Sequence, residues 1–248
     1  MQKNDIINLL CTSVEANIEL AKQTCADNKW DILAIIKSFK YDTINIFEPK
    51  DFLKTGLNCK SRKLAKLPAL LPDALVEIDC SYNHLAALPE RLPAQLRRLN
   101  CEYNLIKTFP TQLPDGLQFL NCFYNKIKTF SLALPDALVE LDCGKNELAQ
   151  LPPLANTQLK KLNCAINKIK ELPAPLPASL EYLDISCNKV KVVPDTLPEK
   201  LTYLDLRKNT GVKKLPFVLP QLTYLNISET AIDKNSINLP PTLEHLLS

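Results

Sequence analysis

The chain has 248 residues, 46% of them hydrophobic and 23% charged, and its 30 basic and 27 acidic groups leave a net charge of +3. That is enough apolar material for a continuous core. The surplus is too small for a dedicated nucleic-acid binder, and no stretch approaches the roughly 20 consecutive apolar residues of a transmembrane helix.

The opening MQKNDIINLLC carries one lysine, then Asn4 and Asp5, before a short apolar piece, which is not the pattern of a secretory signal. Nine cysteines, an odd number, in such a chain point to reduced thiols in a cytosolic setting rather than to a disulfide framework. Within residues 1–50, Ile6, Ile7, Leu10, Val14, Ile18 and Ala21 recur at helical spacing. Ile32, Leu33, Ile35, Ile36 and Phe39 form a second apolar stripe, so two or three short helices are expected there.

From residue 51 onward the chain is governed by a repeat. Cys59, Cys80, Cys101, Cys122, Cys143 and Cys164 follow one another at intervals of 21 residues, a spacing that neither metal binding nor disulfide pairing requires. The surrounding pattern is LxxLxCxxNxLxxLP, with a linker that usually adds a second LP. One copy is Leu75, Ile78, Cys80, Asn83, Leu85, Leu88 and Pro89. Further on, the cysteine column turns aliphatic as Ile185, Leu206 and Ile227, and an insertion near Thr210–Gly211 is absorbed before Leu222. The leucines and cysteines are expected inside. The seven asparagines from Asn83 to Asn209 are expected to bond turn backbone within and between coils, because a buried amide must be satisfied. The prolines remove amide donors and bias the return side toward extended backbone.

Over residues 53–248 this pattern resembles leucine-rich repeats. The resemblance implies a leucine-rich-repeat solenoid, or horseshoe, of about nine coils spanning 51–248, with a parallel concave sheet and a mostly extended convex side. The helices of residues 1–50 then read as an N-terminal cap over the first coil's apolar edge.

Little in the chain supports catalysis. His84 and His245 are far apart, Gly56, Gly116, Gly144 and Gly211 form no phosphate loop, and the cysteine column reads as a buried thiol ladder. No catalytic residue, metal ligand or cofactor is expected. Cys25–Ala26–Asp27 matches the Cys-x-Asp of bacterial ubiquitin ligases that carry such repeats, but in that family the cysteine lies in a large helical domain after the repeats. Cys187, two positions after Ile185, is expected to face outward.

Strand alternation directs the residues just before and after each core cysteine to the concave surface. The position before it reads Asn58, Asp79, Asn100, Asn121, Asp142, Asn163, Asp184, Asp205 and Asn226, either a recognition ladder or a structural preference of the repeat. Aromatic residues are the sharper signal. Tyr82, Tyr103 and Tyr124 form one column with Phe119 and Phe123 beside its end, and Tyr182, Tyr203 and Tyr224 form another. Arg97, Arg98, Glu77 and Glu102 are expected to flank the first column and orient a partner through charge pairs. Exposed aromatic stripes anchor protein interfaces, so these twelve residues are the candidate partner-binding set. A lysine stripe (Lys107, Lys126, Lys128, Lys168, Lys170, Lys189, Lys191) reads as a solvated rim.

The short 21-residue LPxxLxxLxCxxNxLxxLP form with a small helical cap further resembles the leucine-rich-repeat effectors of Gram-negative pathogens. That resemblance implies a chain cytosolic in the bacterium and delivered into a host cell by a specialised secretion system. It also implies a monomer that captures another protein, from the host or a bacterial enzyme, and can inhibit it by covering its active site. No nucleic-acid binding or membrane insertion is expected. The alternative is the substrate-recognition part of a ubiquitin-ligase-like effector, or a fragment of a longer enzyme.

Overall fold

The computed structural model describes residues 52–53, 55–69, 71–130 and 133–248; the helical cap expected at 1–50, with Cys25, lies outside them. Eleven strands form one sheet in chain order. The first, β1 (Phe52–Leu53), runs antiparallel to β2 (Gly56–Asn58). Nine parallel strands follow: β3 (Glu77–Asp79), β4 (Arg98–Asn100), β5 (Phe119–Asn121), β6 (Glu140–Asp142), β7 (Lys161–Asn163), β8 (Tyr182–Asp184), β9 (Tyr203–Asp205), β10 (Tyr224–Asn226) and β11 (His245–Leu247). The expected leucine-rich-repeat solenoid is therefore the fold. Ten parallel strands are separated by nine coil-to-coil steps, a sheet about 43 Å across at the usual strand spacing.

Register follows directly from the period. Ile78 pairs with Leu99, Leu99 with Leu120 and Leu120 with Leu141, so each residue lies beside its counterpart 21 positions on. The central residue of each strand from β2 to β10 is buried. The cysteine one position beyond each strand is fully buried from Cys59 to Cys164, and Ile185, Leu206 and Ile227 take over the column. None of the seven described cysteines forms a disulfide.

The asparagine ladder has the expected role. Asn125 Nδ2 donates to the carbonyls of Cys101 in the preceding coil and Cys122 in its own, at 3.0 and 3.1 Å. Its Oδ1 accepts the Ile106 amide at 2.9 Å. The same contacts recur from Asn83 to Asn209, with Val190 as the last amide served.

Proline does more than stiffen the return. In seven coils the Leu that leads into the strand donates its amide to the carbonyl of the proline three residues earlier, as Leu96 does to Pro93 at 3.1 Å and Leu117 to Pro114 at 3.0 Å. LP-x-x-L is thus a turn that aims the chain into the sheet. Among the described residues the one helical segment is a single 3-10 turn, Lys234–Ser236.

Each coil also has a left-handed residue two positions after the core column, and the first coil has a second at Lys63. Ser61, Tyr82, Tyr103, Tyr124, Lys145, Ile166, Cys187, Lys208 and Glu229 all have φ between 50 and 60°. This reversal turns the chain out of the strand so that the next residue, the ladder asparagine, points inward. A β-branched side chain is poorly suited to it, and the left-handed region costs an ordinary residue roughly 1–2 kcal/mol. Ile166 is 47% exposed and has little packing to lose. Ile166→Asn is therefore expected to raise the unfolding free energy by about 1 kcal/mol, measured as a higher urea midpoint at unchanged slope. An unchanged or lower midpoint would show that the turn carries no strain.

Candidate functional site

Four side-chain columns run across the strands and define the exposed sheet face and its edge. The first residue of each strand forms the row Glu77, Arg98, Phe119, Glu140, Lys161, Tyr182, Tyr203, Tyr224 and His245. The third forms the Asp/Asn row. The residue after the core column forms a third row, and the left-handed residue a fourth at the sheet's edge.

The Asp/Asn row is settled by its hydrogen bonds. In every coil from Asn58 to Asn226, Oδ1 accepts the backbone amide two residues on, as in Ser81 to Asp79 at 3.0 Å and Phe123 to Asn121 at 3.0 Å. The row closes the turn that leads out of the strand, so the preference is structural.

The tyrosines stand outside the core as two stacks. Tyr82, Tyr103 and Tyr124 lie ring on ring, with centroids 4.5 and 4.6 Å apart and planes within 11°. Lysines close both ends: Lys60 Nζ lies 5.0 Å from the Tyr82 ring and Lys145 Nζ 4.2 Å from that of Tyr124. Phe123 leans on Tyr103 and Tyr124 at 5.7 and 6.3 Å. The second stack is tighter, with Tyr182, Tyr203 and Tyr224 at 4.1 and 4.2 Å, Lys161 over its outer face at 5.4 Å and His245 tilted at the other end. Burial pushes the Tyr182 and Tyr203 phenols above their usual range, and at Tyr203 the neighbouring phenols add to the rise, so both stay protonated.

The two stacks are separate surfaces. The first sits at the exit end of the strands in the coils of β3–β5, on left-handed residues. The second sits at the entry end, on β8–β10, and three strand spacings, about 14 Å, separate β5 from β8.

The charged candidates are redistributed in the same way. Glu102 stays near the first stack and accepts from Asn121 Nδ2 at 3.0 Å. Arg98 and Glu77 belong instead to the entry row, where Arg98 Nε lies 3.7 Å from Glu77 Oε1 and its guanidinium lies 3.9 Å over Phe119. Phe119 is therefore a partner of Arg98 rather than the end of the tyrosine column. Arg97 joins neither group: its guanidinium fills the space a side chain would need at Gly116 in the next coil. An extended chain sends neighbouring side chains to opposite sides, so Arg97 and Arg98 part company.

Sequence reasoning missed four members. Glu140 and Lys161 extend the entry row, and with Glu77, Arg98 and Phe119 they line a shallow trough of about 290 Å³ floored by Asp79 and Asp142. Lys60 and Lys145 are the closures of the first stack. Counting each row to its end would have found the first pair; the second required knowing that the left-handed residue stacks laterally.

Burial raises the Asp142 carboxyl above its usual range, as it does Asp205, where the charge of Asp184 adds to the effect. Asp184 and Asp205 are register partners on adjacent strands. The seven rim lysines are all exposed, and Lys168 reaches Glu147 at 3.1 Å. Among the described residues no group of three His, Cys, Asp or Glu side chains is placed to hold a metal ion, and no helix is long and apolar enough to cross a membrane.

In three-dimensional comparison the chain is similar to YopM from Yersinia enterocolitica WA-314, with TM-score 0.68 and 36% identity over 74% of this chain. It spans 39% of that protein's length. It is also similar to YopM, a leucine-rich effector protein from Yersinia pestis (TM-score 0.65, 24% identity, 100% of this chain and 82% of that one). A Shigella effector LRR domain matches at TM-score 0.57 and 23% identity, over 90% of this chain and 89% of that one. The last two, at low identity, share the fold. No protein-family model matches the chain, and no curated protein sequence matches it.

Proposed function

We propose that this chain is a protein-recognition module of the secreted bacterial effector kind, which captures one protein partner on its concave face and edge. It acts by binding and not by catalysis. The observation that carries this reading is the pair of outward tyrosine stacks, placed where the repeat leaves residue identity open. Stacking alone contributes roughly 0.2–1 kcal/mol per cross-strand pair, and aliphatic or polar residues serve at the same positions in other coils. The edges and hydroxyls of six tyrosines offer large contact area with few rotors to freeze, which is what interface anchors supply. Similarity to YopM supports the effector setting, a bacterial product acting in the host cytosol. The partner is a host protein or a bacterial enzyme, and a horseshoe seated over an active site would inhibit it.

Affinity capture from host and bacterial lysates tests the reading, comparing wild type with Tyr103→Ala/Tyr124→Ala and Tyr182→Ala/Tyr203→Ala. One pair is expected to weaken capture of a specific protein by roughly 30-fold or more, the scale of an interface anchor, with an unchanged circular-dichroism spectrum. If both folded variants retain every partner, the stacks are structural ornaments of the sheet and the reading fails.

A further inference from the structure

Two features coincide on the flank where the chain leaves β7, β8 and β9. The segments between the ladder asparagine and the linker, 168–172, 189–193 and 210–215, contain six lysines and one carboxylate, Glu171. All six lysines are exposed. Lys168 pairs with Glu147, and the other five have no ion-pair partner among the described residues. The whole chain carries only +3, so positive charge is gathered here rather than spread.

Packing draws the three segments into one strip. The Lys189 amide donates to the Ile169 carbonyl at 2.8 Å, which sets Lys189 and Lys191 beside Lys168 and Lys170. In the next coil Gly211 lies against Lys191, whose Cγ is 2.9 Å from where a side chain at Gly211 would begin.

The same strip carries the three most exposed large apolar side chains among the described residues: Phe217 at 85%, Val218 at 75% and Val192 at 65%. Val192 follows Lys191 directly, and Phe217 lies three residues after Lys214, about 10 Å of extended chain. The coil does not require them. Glu90–Arg91, Thr111–Gln112 and Asp195–Thr196 hold the place of Phe217–Val218 between the two linker prolines of other coils. Apolar side chains set beside a run of lysines form a patch that the fold itself does not use.

The chemistry of the strip selects its partner. Its cations are all lysine, whereas protein interfaces favour arginine over lysine, and base readout in nucleic acids relies on the arginine fork. Lysine is a point charge on a long stem, suited to a diffuse anionic surface. Phenylalanine and valine form no hydrogen bonds through their side chains and gain only from an apolar medium. Together they match the headgroup layer of a bilayer that contains acidic phospholipids.

We propose that this flank docks on an anionic phospholipid membrane, its lysines among the lipid headgroups and Phe217 and Val218 entering that layer. The contact is peripheral, and no described helix is long and apolar enough to cross the bilayer. It does not rest on the protein-binding reading. The tyrosine stacks lie on other coils or at the entry end of the strands, so both contacts can be made at once.

Co-sedimentation of the full 248-residue chain with vesicles tests this, comparing equal parts phosphatidylcholine and phosphatidylserine with phosphatidylcholine alone. Binding to the mixed vesicles is expected to be at least about 10-fold tighter and to weaken with added salt. Lys191→Gln/Lys213→Gln should lose roughly 10-fold or more, at about five-fold per lysine. Phe217→Ser/Val218→Ser should lose roughly 10-fold at unchanged charge. Lys66→Gln/Lys107→Gln, the same charge change on remote coils, should bind as wild type does. All six positions are exposed, and an unchanged urea midpoint shows that each variant is folded. Equal loss in the remote control would reduce the effect to net charge, and full binding by Phe217→Ser/Val218→Ser would remove the apolar contact; either result overturns the proposal. So would failure to bind the mixed vesicles, whether or not the chain is retained on a DNA duplex or a polyglutamate peptide.

Discussion

Replacing Asn125 with alanine is expected to lower the unfolding free energy by about 3–5 kcal/mol, a loss comparable to removing a large core side chain. The side chain serves three buried backbone groups at once: the Ile106 amide and the carbonyls of Cys101 and Cys122. Alanine removes the partner and leaves the groups, and each orphaned buried group costs roughly 1–3 kcal/mol. Two of the three belong to the preceding coil, so the damage falls on a coil-to-coil interface, and a solenoid depends on those interfaces for its cooperativity. Asn125→Asp should be at least as harmful, because an oxygen would then face carbonyl oxygens. Asp184→Asn, by contrast, should leave stability within about 0.5 kcal/mol or raise it, since the neighbouring coils already use asparagine there. Urea unfolding of the three variants checks the set. A loss below 1 kcal/mol for Asn125→Ala would mean that water replaces the amide and that the ladder is not what joins the coils.

The second large effect concerns the thiol column. Cys80, Cys101, Cys122, Cys143 and Cys164 are fully buried, and burial pushes their thiols well above the ordinary range. Only the thiolate reacts with an alkylating reagent, so in the native state these cysteines must wait for the coil to open. An opening free energy of about 4 kcal/mol corresponds to a ~1000-fold slower reaction. Among the described cysteines, iodoacetamide labelling followed site by site in peptide mass spectra should therefore modify half-buried Cys187 first. The column cysteines should lag it by ~1000-fold and then react together in urea. Labelling of the column at the rate of Cys187 would contradict the tight interior. A column opening one coil at a time would indicate weak coupling between repeats.

Much of this molecule was readable before any coordinates. Leu75, Ile78 and Cys80 had to point inward because the same apolar types return every 21 residues. In a parallel stack, sequence period becomes lateral register without further information. The inward asparagine followed from the rule that a buried amide needs partners, and the ladder from Asn83 to Asn209 has the bonds that rule demands. That the tyrosines stand outside the core, near their counterparts one coil away, was likewise contained in the spacing.

Other features were decided only by the folded chain. Spacing does not reveal that Tyr82, Tyr103 and Tyr124 occupy a left-handed turn, because φ there is imposed by the reversal out of the strand and not by a preference of tyrosine. That reversal puts the first stack at the exit edge, while the second stands at the entry end on different coils, so the two columns are separate surfaces. Arg97 and Arg98, adjacent in sequence, diverge because one lies along the next coil at Gly116 and the other over Phe119. The hydrogen bond that Asn and Asp share in one row is also a matter of three-dimensional contact. A period specifies which residues become neighbours; the direction in which each side chain leaves the backbone is set by local torsion and by what the adjacent coil already occupies.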